Sequence, residues 1–177
     1  MNASTAHHSV STVRESHQWL RWLTGRTCAA ARTLSPEEFT REFPIGIGSV
    51  RSTLIHLLGA ERIWIAVIEE TDPAVTMPDA KELPTLDAIE RAWPAVRARW
   101  DAYLNRLDER ELSRVVARVR DGKTYSQRVA DALMQVPTHA LYHNAQLSFM
   151  FRSMGKQLPD SSWILWARER LTGAQPT

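Results

Sequence analysis

The sequence predicts an all-α fold, a four-helix bundle with a short hairpin-like insertion before the last long helix. Three observations predict it. Four long segments repeat apolar residues at three- and four-residue steps. The breaks between them hold proline, glycine and capping residues. One short stretch alternates as a strand would, and no internal repeat is present. A chain of 177 residues is expected to make one domain with a substantial core. We place that domain at residues 10–172, between a flexible N-terminus (1–9) and a flexible C-terminus (173–177).

The first helix is expected from about Val10 to Leu34, carrying Val13, Trp19, Leu20, Trp22 and Leu23, and stopping near Ser35-Pro36. Phe43-Pro44-Ile45-Gly46-Ile47-Gly48 reads as a loop, after which Ser49 offers an N-cap for a second helix to about Glu70. Thr71 to Pro84, with Pro73, Pro78 and Pro84, reads as a long surface connection. Thr85 caps a third helix through about Leu107, where Ile89, Trp93, Val96, Trp100 and Leu104 recur and Pro94 implies a kink. Val115 to Val119, Asp121-Gly122 and Thr124 to Ser126 form the hairpin signal. A fourth helix runs from about Ser126 to Met154 and stops at Gly155, and a short helix spans about Trp163 to Leu171.

Apolar residues make up 44% of the chain and charged residues 24%, as in ordinary soluble proteins. The formal net charge is +2, and the arginines alternate with acidic and apolar positions, which argues against a nucleic-acid partner. Cys28 is the single cysteine, so neither an internal disulfide nor a thiolate metal cluster can form. Residues 1–11 contain no apolar signal core and no segment has transmembrane length, so a soluble, cytoplasmic protein without a membrane partner is expected.

Chemistry enters through histidine. His139 and His143 are one helical turn apart and project from one face, as two ligands of one ion must. Such spacing also arises by chance, so the pair needs a third member. His56, on the second helix, is the candidate. Helical projection puts it at the edge of the arc formed by Val50, Leu54, Leu57, Leu58, Trp64, Ile65 and Ile68. It puts His139 and His143 at the border of the fourth helix's core face, beside Gln135 and Gln146. Three border imidazoles fit a metal pocket with an open coordination position. The bland reading is that each turns towards water on its own.

Glu61 projects into the middle of the second helix's apolar arc, where a carboxylate needs a partner or a raised pKa. It is either a proton acceptor in catalysis or a structural group bonded to Trp19, Trp22 or backbone; the structural role is favoured. Pro137 removes a helical donor and frees the Leu133 carbonyl. Either that kink sets the angle of the histidine pair or the helix restarts there. Trp64 is the one tryptophan expected in a pocket wall.

Gly48 to Trp64, with His56 and Glu61, resembles the second helix of the DinB-like (DinB/YfiT-like) metalloenzyme family. His139-Ala140-Leu141-Tyr142-His143-Asn144-Ala145-Gln146 resembles its paired-histidine helix, and Met154 to Asp160 is similar to its exit. The resemblance covers nearly the whole chain. It implies a four-helix bundle holding one divalent metal ion (zinc, nickel or iron) on three histidines, here His56, His139 and His143, often as a homodimer. Several members are thiol-dependent S-transferases or isomerases, which implies a low-molecular-weight thiol such as bacillithiol or mycothiol as cosubstrate. Asn144-Ala145-Gln146 departs from the Arg-Gly-Gln frequent in the family, leaving the ligands intact and the substrate or partner preference open.

The leading expectation is a metal-dependent enzyme of the thiol S-transferase type acting on a small electrophilic molecule. The alternatives are a non-catalytic metal-binding stress or interaction protein and a metal-dependent hydrolase. Cys28 has no motif around it and is a poor nucleophile candidate.

Overall fold

A computed structural model describes residues 8–72 and 74–173. Of the ends expected to be flexible, residues 1–7 and 174–177 lie outside the described residues. The chain is mostly helical: α1 (Val10–Ala31), α2 (Pro36–Thr40), α3 (Val50–Glu69), α4 (Leu86–Arg106), α5 (Glu109–Ser113), β1 (Val115–Arg120), β2 (Lys123–Arg128), α6 (Val129–Ser153) and α7 (Trp163–Thr172). Four helices form the bundle. α6 packs against α1 and α3, and α4 closes the ring against the same two. Val13, Leu54, Leu58, Ile65, Ile89, Trp93, Trp100, Leu133, Leu147 and Met150 fill its interior.

Side-chain caps start these helices. Ser9, Ser49 and Thr85 each accept a bond from a backbone amide three residues on, which satisfies donors that the first turn leaves free. α2 was not expected. Ser35 and Glu38 make a reciprocal capping box with Pro36 in the first turn, so the residues read as the end of one helix begin another. α5 is likewise additional, opened by Asp108 accepting from Glu111 N.

The hairpin is longer than its sequence signal. Asp121 and Gly122 both adopt positive φ, the requirement of a tight two-residue turn. The strands pair from Val115 with Arg128 to Arg120 with Lys123. α6 therefore begins at Val129 rather than Ser126, because the ladder and a bond from Val129 N to Arg114 O hold Ser126 to Arg128 extended. Val116 is fully buried, while Val115 and Val119 stay exposed. That alternation aims Val116 and Arg118 inward, against the bundle.

Candidate metal centre

α3 and α6 bring the three histidines together. His139 Nε2 lies 3.0 Å from His56 Nε2 and 3.0 Å from His143 Nε2. One ligand nitrogen from each residue falls within 4.8 Å of the others. Nitrogens bound at 2.0–2.1 Å to one ion sit about 3.0–3.4 Å apart, so the two His139 contacts have the spacing of a shared ligand shell.

The protons make the case stronger than the distances. His143 Nδ1 donates to Gln146 Oε1 at 2.8 Å, so a neutral His143 presents a lone pair at Nε2. Burial holds all three imidazoles below their ordinary pKa. His139 is pushed down to about 4, first by desolvation and then by the His143 and His56 charges. Neutral His139 has at most one proton to give at Nε2 and two nitrogens to face. At most one of the two close contacts can then be a well-formed hydrogen bond, whereas a cation shared by three nitrogen lone pairs satisfies both. The donor set fits a divalent ion that prefers imidazole.

Local sequence sets each position. His143 lies one turn after His139, and Gln146 one turn further on the same side. Gly46 lets the loop before α3 close onto Gln146. A Cβ there would lie 2.1 Å from Gln146 Oε1, and the backbone holds φ at +58°. Pro137 continues within α6 without ending it, and the Leu133 carbonyl that it frees accepts from His17 Nε2 at 3.0 Å. His17, buried and pushed down to about 4 by desolvation, stays neutral and keeps that bond. The proline position two residues before His139 is thus braced by α1.

A cavity of about 510 Å³ opens beside His56 and His139. Trp64, Ile63, Met77, Gln135 and Arg118 are among its walls. Gly59 admits one of them: a Cβ there would meet Met77 Sδ at 2.0 Å, so glycine lets the 71–84 connection lie against α3.

Glu61 is elsewhere. Its Oε1 accepts from Trp93 Nε1 at 2.9 Å, so the indole partner is on α4 rather than being Trp19 or Trp22. It borders a small interior recess with His17, Arg21, Arg97 and Trp100, not the cavity of the histidines. Burial pushes its carboxyl up to about 7 against the Trp93 bond and the Arg97 and Arg21 charges. Asn144 also leaves the histidine face. It accepts from Thr27 Oγ1 at 3.1 Å and donates to Ser161 Oγ at 2.7 Å, tying α6 to α1 and to the segment before α7. Cys28 is buried, and its thiol is pushed up to about 12 by desolvation.

Sequence reasoning placed Trp64 at the pocket wall but missed Arg118. Apolar alternation in the sequence would turn Val115, Ala117 and Val119 inward, and β1 docks with Val116 and Arg118 inward instead, so no sequence signal marked Arg118. Gln146 was read as a neighbour on the histidine face, and its bond to His143 was not foreseen.

A search of curated proteins finds none that matches. Among solved structures, the fold is similar to a DinB-like protein from Bacillus cereus ATCC 10987, with a TM-score of 0.58 and 16% identity over 82% of this chain and 94% of that one. The family model described as DinB family matches residues 1–170. With that match spanning nearly its whole length, the chain belongs to the DinB family.

Proposed function

We propose that this protein is a metal-dependent thiol S-transferase acting on a small electrophilic molecule. His56, His139 and His143 hold one zinc, nickel or iron(II) ion. The observation that carries the reading is the convergence of three neutral Nε2 atoms, two contacts at 3.0 Å, beside a cavity large enough for a small molecule. When bound, the ion supplies Lewis acidity that holds a thiol as thiolate at neutral pH. The residues do the rest. Neutral imidazoles leave the charge of the ion undiminished. Gln146 keeps the His143 proton on Nδ1, so Nε2 stays available. Trp64, Ile63 and Met77 give the carbon skeleton of the substrate an apolar wall. The sulfur forms a bond to the electrophilic carbon, the leaving group departs with its electron pair, and the thiol proton passes to solvent.

A cytoplasmic setting supplies reduced thiols, and among the described residues no helix is long and apolar enough to cross a membrane. The homodimer is supported by Leu141, Tyr142 and Phe149, exposed together on the outer face of α6.

The test is a panel of thiols and electrophiles with metal-loaded protein. Thiol-stimulated turnover that disappears in His143→Ala is the expected outcome. Turnover without added thiol identifies a hydrolase. Metal binding with no turnover on any pair identifies a non-catalytic protein.

A further inference from the structure

We propose that Arg118 is an anion anchor in the histidine cavity, and that the molecule accepted there carries a carboxylate or similarly compact oxyanion. The inference rests on the metal reading for the second charge in the cavity, and on Arg118 alone for the first.

Three observations combine. Arg118 shares the inward face of β1 with buried Val116, and its side chain forms part of the wall that also contains His56 and His139. Its guanidinium lies 5.9 Å from the Trp64 ring centroid, on the cavity's aromatic side.

Second, Arg118 has no ion pair with any described residue, unlike Arg21, Arg32, Arg99, Arg106, Arg114 and Arg128. Glu70 and Asp72 line the neighbouring recess with Arg118, and neither forms an ion pair with it. Glu70 pairs with Arg114 at 2.9 Å, and Asp72 accepts from Ala74 N at 3.1 Å. Its fork of donors is therefore free to bind a carboxylate through two parallel bonds.

Third, among the described residues no aspartate or glutamate lines the cavity. Among the described residues its ionisable groups are His56, His139 and Arg118. A divalent ion on the histidines would leave every formal charge in the cavity positive. An anionic ligand is favoured by both centres and a cationic one is opposed by both. Ile63, Val75 and Met77 provide apolar wall for the carbon chain of such a ligand.

The test uses ω-mercaptocarboxylates of graded chain length, each beside its uncharged amide, titrated into cobalt(II)-loaded protein while the ligand-field absorption is followed. In the wild type at least one carboxylate binds about tenfold tighter than its amide. In Arg118→Gln that preference falls to about twofold or less, with cobalt stoichiometry and amide binding unchanged, and Arg118→Lys restores part of it. Equal binding of carboxylate and amide at every length, or a preference that survives in Arg118→Gln, overturns the proposal. If the protein takes up no cobalt, the metal reading fails by itself. The same pairs are then compared on metal-free protein by ligand-observed NMR. Carboxylate selectivity lost in Arg118→Gln sustains the anchor, and no selectivity overturns it.

Discussion

At the residue scale, the proton on His143 Nδ1 decides what its other nitrogen can do. Gln146 Oε1 accepts that proton, and Gly46 gives the glutamine room to be there. Gln146→Leu is predicted to weaken metal affinity roughly 10- to 100-fold while leaving the helix intact, measured by competition with a chromogenic chelator. Glu61 offers a separate check. Its folded pKa, about 7, lies above the ordinary value of 4.5, so the native state retains a proton that the unfolded chain has lost. Stability from this group is full below pH 4.5 and declines as pH rises through about 7. Glu61→Gln keeps an acceptor for Trp93 and abolishes the titration. Relative to the variant, the wild type should lose on the order of 2–3 kcal/mol between those limits in urea unfolding. A pH-independent difference between the two proteins would contradict the buried, proton-retaining carboxyl. The His139 and His143 pair was legible because residues one turn apart on a helix leave a mark in sequence, whereas the approach of His56 depended on how α3 packs against α6. Gln146's bond depended on side-chain direction, and the role of Gly46 on two segments a hundred residues apart closing together. Neither follows from local pattern.

At the element scale, α6 shows how a local defect is absorbed by a neighbour. Pro137 frees the Leu133 carbonyl, as the sequence indicated, and α1 supplies His17 Nε2 to donate to it. Of the two readings of Pro137, the helix does not restart there: α6 runs through it. His17→Leu leaves a buried carbonyl without its donor and is predicted to cost about 1–3 kcal/mol in denaturant unfolding. An unchanged midpoint would show that the carbonyl finds another donor. Boundaries were legible where a cap or a glycine marked them, at Ser49 and Thr85 for example. They were not at the start of α6, where helix-compatible Ser126 to Arg128 are held in the β2 ladder by pairing with β1. The same hairpin hid Arg118, whose aim depends on how β1 docks. α2 and α5 were missed because five-residue helices are too short to show periodicity.

At the scale of the whole molecule, the bundle was readable because amphipathic period and breaker placement agree along the chain. The arrangement of helices around the ring was not, since periodicity shows which face is buried and not which neighbour covers it. That arrangement matters, because α3 and α6 are adjacent and each contributes to the candidate shell. An ion held there links two of the four helices, so binding is also stabilisation, about 2.7 kcal/mol at a hundredfold excess of free metal over Kd. The most direct measurement is elemental mass spectrometry of tag-free protein, as isolated and after reconstitution, wild type beside His139→Ala. The prediction is near-stoichiometric divalent metal in the wild type, lost in the variant, with a rise in Tm on metal addition seen in the wild type alone. A wild type that neither carries metal nor takes it up would contradict it and leave the three histidines a structural cluster.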